Sequence, residues 1–248
     1  MKQIKLAGFM ILALILGAAT KAFATPSTTY WTPDIMDIQT YGVPHLGIDN
    51  YYTIDNRANG GSAFPTDLGL TIGVLPFDKV QMEVGVDAME PSKYPYMFNA
   101  KIGKPEGLLF NGSPGWGIGI FDVGTEPQVT GYDIGYVLIG KTIPYFGRFT
   151  LSYYYGNHGT LVNSDGNPEN QGWMIACDRT IININKDWMD SIALAADYAS
   201  GKNYIGGGGF GLYFNFTKNM DVLTGPVWFN DVKMNGDWKW TTQLDINF

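Results

Sequence analysis

A single cysteine, two histidines and a shortage of basic side chains set the first limits on this chain. Cys177 has no second cysteine with which to close an internal disulfide, so hydrogen bonds and packing must hold the fold. Only His45 and His158 are available as neutral-pH general bases of the usual kind. No Gly-x-Ser-x-Gly motif is present and no His/Cys cluster has metal-ligand spacing, so neither a catalytic constellation nor a metal or cofactor site is offered. Sixteen Lys and Arg against 23 Asp and Glu leave a net charge of −7, which argues against nucleic acid as a partner. Beyond residue 24 there is also no apolar run long enough to cross a membrane as a helix, and no helix-period stripe.

What is present begins at the N-terminus. Residues 1–24 carry Lys2 and Lys5, then the apolar run LAGFMILALILGAA, then Ala22-Phe23-Ala24, the small-x-small pattern cut by a signal peptidase. The run is shorter than the roughly 20 residues a bilayer core needs, which favours a cleaved export signal over a retained span. Without Lys2, Lys5 and Lys21 the remaining chain is more acidic still. Residues 25–44 follow, with Trp31, Ile35, Ile38 and Tyr41, and are expected to form an ordered strap on the periplasmic side or a plug in the interior.

The rest alternates. Val80, Met82, Val84, Val86 and Ala88 interleave with Gln81, Glu83, Gly85 and Asp87, and Phe149, Leu151, Tyr153 and Tyr155 with Arg148, Thr150, Ser152 and Tyr154. Phe210, Leu212, Phe214 and Phe216 do the same against Gly209, Gly211, Tyr213 and Asn215. The alanine-rich stretch 189–200 would suit a helix by propensity. Its Ile192, Leu194, Ala196 and Tyr198 keep period two, however, and predict a strand. Twelve strands are expected, at 45–54, 66–75, 80–88, 96–102, 115–121, 132–141, 148–155, 171–180, 190–199, 207–216, 221–229 and 238–248. Short connections such as 76–79, 144–147, 185–188 and 217–220 alternate with longer polar loops such as 55–65, 156–170 and 229–237, and only 103–114 is long where a short turn is due.

An even number of strands about ten residues long, with one apolar face each, is what a closed antiparallel transmembrane β-barrel requires. Hydrocarbon tolerates no unpaired backbone amide, so such a sheet must close. The final stretch WKWTTQLDINF places Trp238, Trp240, Thr242, Leu244, Ile246 and Phe248 on one face and Lys239, Thr241, Gln243, Asp245 and Asn247 on the other. With the export signal and the strand series, it resembles the last strand of a bacterial (Gram-negative) outer-membrane β-barrel protein of porin-like type. The resemblance implies an all-β barrel over 45–248 in contact with outer-membrane lipid and lipopolysaccharide. It also implies a terminal aromatic signature, Trp240, Leu244, Ile246 and Phe248, read by the barrel assembly machinery. Trp31, Tyr52, Trp116, Tyr145, Trp173, Trp188, Trp228 and Trp238 are candidates for interfacial aromatic girdles.

If the apolar faces meet lipid, the lumen receives Asp49, Asp67, Glu83, Asp87, Asp133, Asp178, Asp197 and Asp245 against Lys101, Lys141, Arg148 and Lys239. Glu83 with Lys101, and Asp133 with Arg148, can cancel locally, leaving Asp178, Asp197 and Asp245 to set the sign of the interior. The expected function is a porin or channel for small hydrophilic solutes, weakly cation-preferring. The competing readings are a structural barrel with a filled lumen and an outer-membrane hydrolase of lipid or peptide. For the hydrolase, His158 beside Ser164 and Asp165 is the only suggestive grouping, while His45 reads as structural. Gly206 to Gly209 lacks the Lys-Ser/Thr and helix start of a phosphate cradle and predicts a kink or close backbone approach.

Overall fold

The computed structural model describes residues 28–33, 37–54 and 65–248. The expected export signal at 1–24 lies outside the described residues. Twelve strands follow in chain order: β1 Pro44–Thr53, β2 Thr66–Gly73, β3 Gln81–Glu90, β4 Tyr96–Lys104, β5 Gly115–Gly124, β6 Gly131–Ile143, β7 Gly147–Tyr155, β8 Gln171–Lys186, β9 Met189–Ala199, β10 Gly207–Thr217, β11 Met220–Phe229 and β12 Trp238–Asn247. Each is antiparallel to its neighbour in sequence, and β1 pairs with β12 to close the barrel. The alanine-rich stretch is strand β9, because its period of two gives each face a consistent environment that a helix would mix.

Closure rests on nine facing residue pairs from His45 and Asn247 to Thr53 and Lys239. His45 is fully buried at this seam, with Nδ1 2.8 Å from Asn247 Oδ1 and Nε2 3.2 Å from Asp245 Oδ1. Its role is to tie the first strand to the last.

We call the rim at which β1 begins and β12 ends the near rim. The opposite, far rim carries the loop 156–170, the connection 200–206 and a single-turn helix α1, Val232–Asn235, capped by Asp231. Near-rim connections are tight except for 74–80 and the longer 105–114, where Glu106 reaches Lys141 and accepts a hydrogen bond from the Thr142 amide at 2.9 Å.

Outward residues are apolar along the strands, as in Leu68, Leu70 and Ile72 of β2, Ile118 and Ile120 of β5, and Val137 and Ile139 of β6, all exposed. Aromatic rings bound this band. Tyr52, Trp173, Trp228 and Trp238 stand at far-rim strand ends, and Trp116, Tyr145 and Trp188 at the near rim. Trp31 departs from the expected girdle: it lies inside, its Nε1 donating to the Ile205 carbonyl at 2.8 Å and its ring edge-on to Tyr51 and Phe229.

Inside, one wall is apolar. Phe121, Ile134, Tyr136, Leu138, Tyr154, Leu161 and Met174 form a buried cluster fed by β5 to β8 and by the loop 156–170. This overturns the expected facing of β6. Ile134, Tyr136 and Leu138 point inward, so Asp133 is exposed on the outer side and Gly135 sits on that same side. The strand is apolar on both faces, and the interior cluster rather than lipid takes the face that carries its tyrosine.

Candidate functional site

Residues 28–33 and 37–40 lie against inward side chains of the barrel, while Tyr41 is exposed at the near rim, where the Gly42 amide donates to the Gly73 carbonyl at 2.9 Å. Three devices hold them, each built from inward side chains of different strands. On β9, Asp197 Oδ2 accepts the amides of Tyr30, Trp31 and Thr32 at 3.2, 2.6 and 2.6 Å and the Thr32 hydroxyl at 3.0 Å. Successive amides converging on one carboxylate oxygen are a strong, charge-assisted arrangement. On β3 and β4, Glu83 and Lys101 pair at 3.3 Å with both side chains fully buried. Glu83 also accepts the Gln39 amide at 2.7 Å, and Lys101 donates to the Asp37 carbonyl at 2.9 Å. On β7 and β8, Arg148 is held between Asp178 and Asp37, each at 2.7 Å.

The glycines of β10 and β11 complete this anchoring. The Tyr30 ring lies flat against Gly209, Gly211 and Gly225: a Cβ at Gly209 would overlap the ring, one at Gly211 would stand 2.7 Å from it, and one at Gly225 would stand 2.9 Å from its hydroxyl. Tyr30 Oη donates to the Pro226 carbonyl at 3.1 Å, and its own carbonyl accepts from Gln243 at 3.1 Å. Close approach is what the glycine run serves, but only Gly209 meets Tyr30: Gly206 closes on the Gly201 carbonyl, Gly207 on that of Trp228 and Gly208 on that of Asp197.

Two cavities lie on either side of residues 28–33. The near-rim vestibule, about 430 Å³, is lined by Thr28, Asp37, Arg148, Asp178, Arg179, Lys218 and Asp221 among others. A smaller chamber of about 80 Å³ in the far half is lined by Asp49, Asp67, Asp87 and Asp122 together with Tyr30, Trp31, Tyr51, Phe121 and Tyr204. Thr28 borders both.

The sequence-predicted residues distribute among these features unevenly. Asp49 and Asp87 line the chamber. Glu83, Lys101, Arg148, Asp178 and Asp197 hold the inner segment. Asp245 faces His45 at 3.2 Å, and the Lys239 ammonium stands 6.0 Å over the Phe229 ring. Asp133 is not in the lumen and does not meet Arg148, which takes Asp178 and Asp37 instead. Lys141 is likewise outside, paired with Glu106. Two inward carboxylates were not anticipated, Asp122 and Asp221. Asp122 sits at an irregularity where β5 shifts register against β6, with φ of 54°, so counting by twos from Trp116 assigns it to the wrong face. Asp221 falls at the predicted start of its strand, and its inward direction follows from the period once Leu223 and Val227 are seen to be buried.

The far-rim loop does not assemble a triad. His158 is exposed, Asp165 pairs at 3.7 Å with Lys233, and the Ser164 amide donates to Asp231 at 2.9 Å. Burial tends to raise the Asp231 carboxyl, but hydrogen bonds from Ser164, Lys233 and Met234 outweigh it and hold the group below its usual range. The outward positions of Trp240, Leu244 and Ile246 match the expected lipid-facing alternation, and the Phe248 amide donates to the Pro44 carbonyl at 3.1 Å.

No family model and no curated protein matches the chain. Among solved structures it is similar to the NanC porin, at 9% identity over 83% of this chain and 98% of that one, with a TM-score of 0.51. It is also similar to an outer membrane channel from Pseudomonas putida F1, at 10% identity over 88% of this chain and 99% of that one, with a TM-score of 0.46. The likeness to the NanC porin is one of fold: this chain shares its barrel.

Proposed function

We propose that this chain is an outer-membrane channel for small hydrophilic solutes, weakly cation-preferring, whose passage is controlled by its own residues 28–43. The observation that carries the reading is the pair of cavities separated by residues 28–33 inside a closed barrel with an apolar outer surface. A solute path exists in two halves, and the partition between them is a short segment held by hydrogen bonds and ion pairs rather than by the barrel's covalent framework. Such bonds are worth about 1.5–3 kcal/mol each where one partner is charged, so a bound solute or a changed salt concentration can compete with them.

The test is single-channel recording of the refolded protein in a planar bilayer, comparing the native chain with Asp197→Ala. A small or intermittent conductance that becomes larger and steadier in the variant supports the reading. Absence of conductance in both, with correct folding shown by a faster-migrating unheated band on a denaturing gel, would establish the second reading, a filled structural barrel. The apolar cluster of β5 to β8 is the observation that favours that alternative.

A further inference from the structure

The far chamber has a property that conduction alone does not require. Its four carboxylates come from β1, β2, β3 and β5, and the backbone register brings them together: Asp49 faces Asp67 directly, and Asp87 faces Gly69, two residues along from Asp67. Among the described residues that line the chamber there is no Lys, Arg or His. Asp122 is only 7% exposed and has no hydrogen-bond or ion-pair partner among the described residues. Asp87 is 3% exposed, and while its Oδ2 accepts from Asn99 at 2.8 Å, its Oδ1 accepts nothing from the described residues; Asp67 Oδ1 is likewise buried and without a partner among them. Elsewhere in the lumen Glu83, Lys101, Arg148 and Asp178 meet an opposite charge and Asp197 gathers three amides, while Asp221 in the near-rim vestibule, with one buried oxygen unpartnered among the described residues, is a single such group rather than a cluster of four.

Uncompensated buried carboxylates are costly, and a cation that enters relieves that cost. The nature of the cation follows from the spacing and the walls. The carboxylates stand on four strands, Asp49 and Asp67 facing each other at one side and Asp87 and Asp122 beyond, so they offer anionic points spaced along the chamber rather than one compact cage. The aromatic rings of Tyr30, Trp31, Tyr51 and Phe121 line the same space and favour a cation with an apolar stem, by stacking methylenes and by attraction of an ammonium to the ring face. The chamber is the narrower of the two cavities, about 80 Å³ against about 430 Å³, which favours a slender unbranched stem over bulky ring compounds.

We propose that the far chamber binds linear aliphatic amines carrying two or more protonated nitrogens, one ammonium lodged among Asp67, Asp87 and Asp122 and the next reaching Asp49. This deepens the channel reading by naming a solute class, yet the binding itself requires no conduction. The probe is therefore 1,4-diaminobutane, titrated calorimetrically into the refolded protein in detergent at low salt, with n-butylamine and sodium chloride as comparisons. Saturable binding of the diamine is expected, at least tenfold tighter than the monoamine and weakened at least tenfold in Asp122→Asn and in Asp87→Asn. Asp133→Asn, on the outer surface, should bind as the native chain does.

No saturable binding, equal affinity for diamine and monoamine, or undiminished binding in both Asn variants would overturn the proposal. Folding of each variant is checked by its unheated gel mobility. Should a variant fail to fold, the fluorescence of the native protein decides: diamine should change Trp31 emission, read as the difference from Trp31→Phe, at concentrations where the monoamine and equivalent sodium chloride do not. A Trp31 response identical for all three would again reject the site. Binding without conductance would reject only the channel reading, and conductance without diamine binding only this one.

Discussion

The near-rim vestibule and the far chamber are both lined by carboxylates, yet they solve the electrostatic problem differently. At the near rim, Arg148 sits between Asp37 of the inner segment and Asp178 of the barrel and gives each a cationic partner, leaving Asp221 alone without one among the described residues. In the far chamber Asp49, Asp67, Asp87 and Asp122 share a smaller space with no basic side chain among the described lining residues. The first arrangement fixes a segment; the second waits for a ligand. What separates them is position along the strands, since the inner segment delivers Asp37 only to the near half.

The comparison can be broken most forcefully at the partition. Asp197→Ala removes four hydrogen bonds to residues 30–32, and Gly209→Val drives a side chain into the Tyr30 ring. Either change is expected to merge the two cavities and raise unitary conductance severalfold, measured in planar bilayers. Unaltered conductance in both would mean that residues 28–33 do not limit passage.

Next in size is the charge of the chamber. Replacing Asp49, Asp67, Asp87 and Asp122 together by Asn should move the zero-current potential under a potassium chloride gradient most of the way towards no preference. In the native chain the same preference should shrink as salt rises, because the Debye length falls from about 10 Å at 0.1 M to about 3 Å at 1 M. A native preference for anions would contradict the lumen described.

A third experiment makes the near rim resemble the far chamber. Arg148→Met leaves Asp37 and Asp178 uncompensated, which should increase cation preference while lowering stability by about 2–3 kcal/mol, less than the 3–5 typical of a fully buried pair because the guanidinium is partly exposed. Denaturant unfolding gives the second quantity, and an unchanged midpoint would show that the vestibule has no stake in this ion pair.

The smallest effect concerns the far-rim loop. The Asp231 carboxyl is lower in the folded chain than unfolded, so its stabilising link to Ser164 is complete above the ordinary carboxylate value of about 3.9 and is lost as pH falls through the lower folded value. Hydrogen exchange of the Ser164 amide should accelerate relative to its intrinsic rate in that acid range, and Asp231→Asn should remove the pH dependence without affecting conductance.

The legibility of the sequence follows the same division. Strand number, closure and the outward face of most strands were readable, because lipid imposes one rule on every outward position and the period of two transmits it. That rule failed on β6, where Ile134, Tyr136 and Leu138 answer to an interior apolar cluster as Val137 and Ile139 answer to lipid, and pattern alone cannot rank two apolar faces. It failed again at Asp122, where one irregular residue reverses the count. Glu83 and Lys101 were paired correctly because neighbouring strands define their register, whereas the partners of Arg148 and Asp197 include residues of a segment far away in the chain. The sequence by itself thus determined a closed barrel and an acidic interior, since both depend on composition and local period. Which carboxylates are neutralised and which stand open was decided only by the tertiary structure, because compensation depends on where residues 28–43 come to rest.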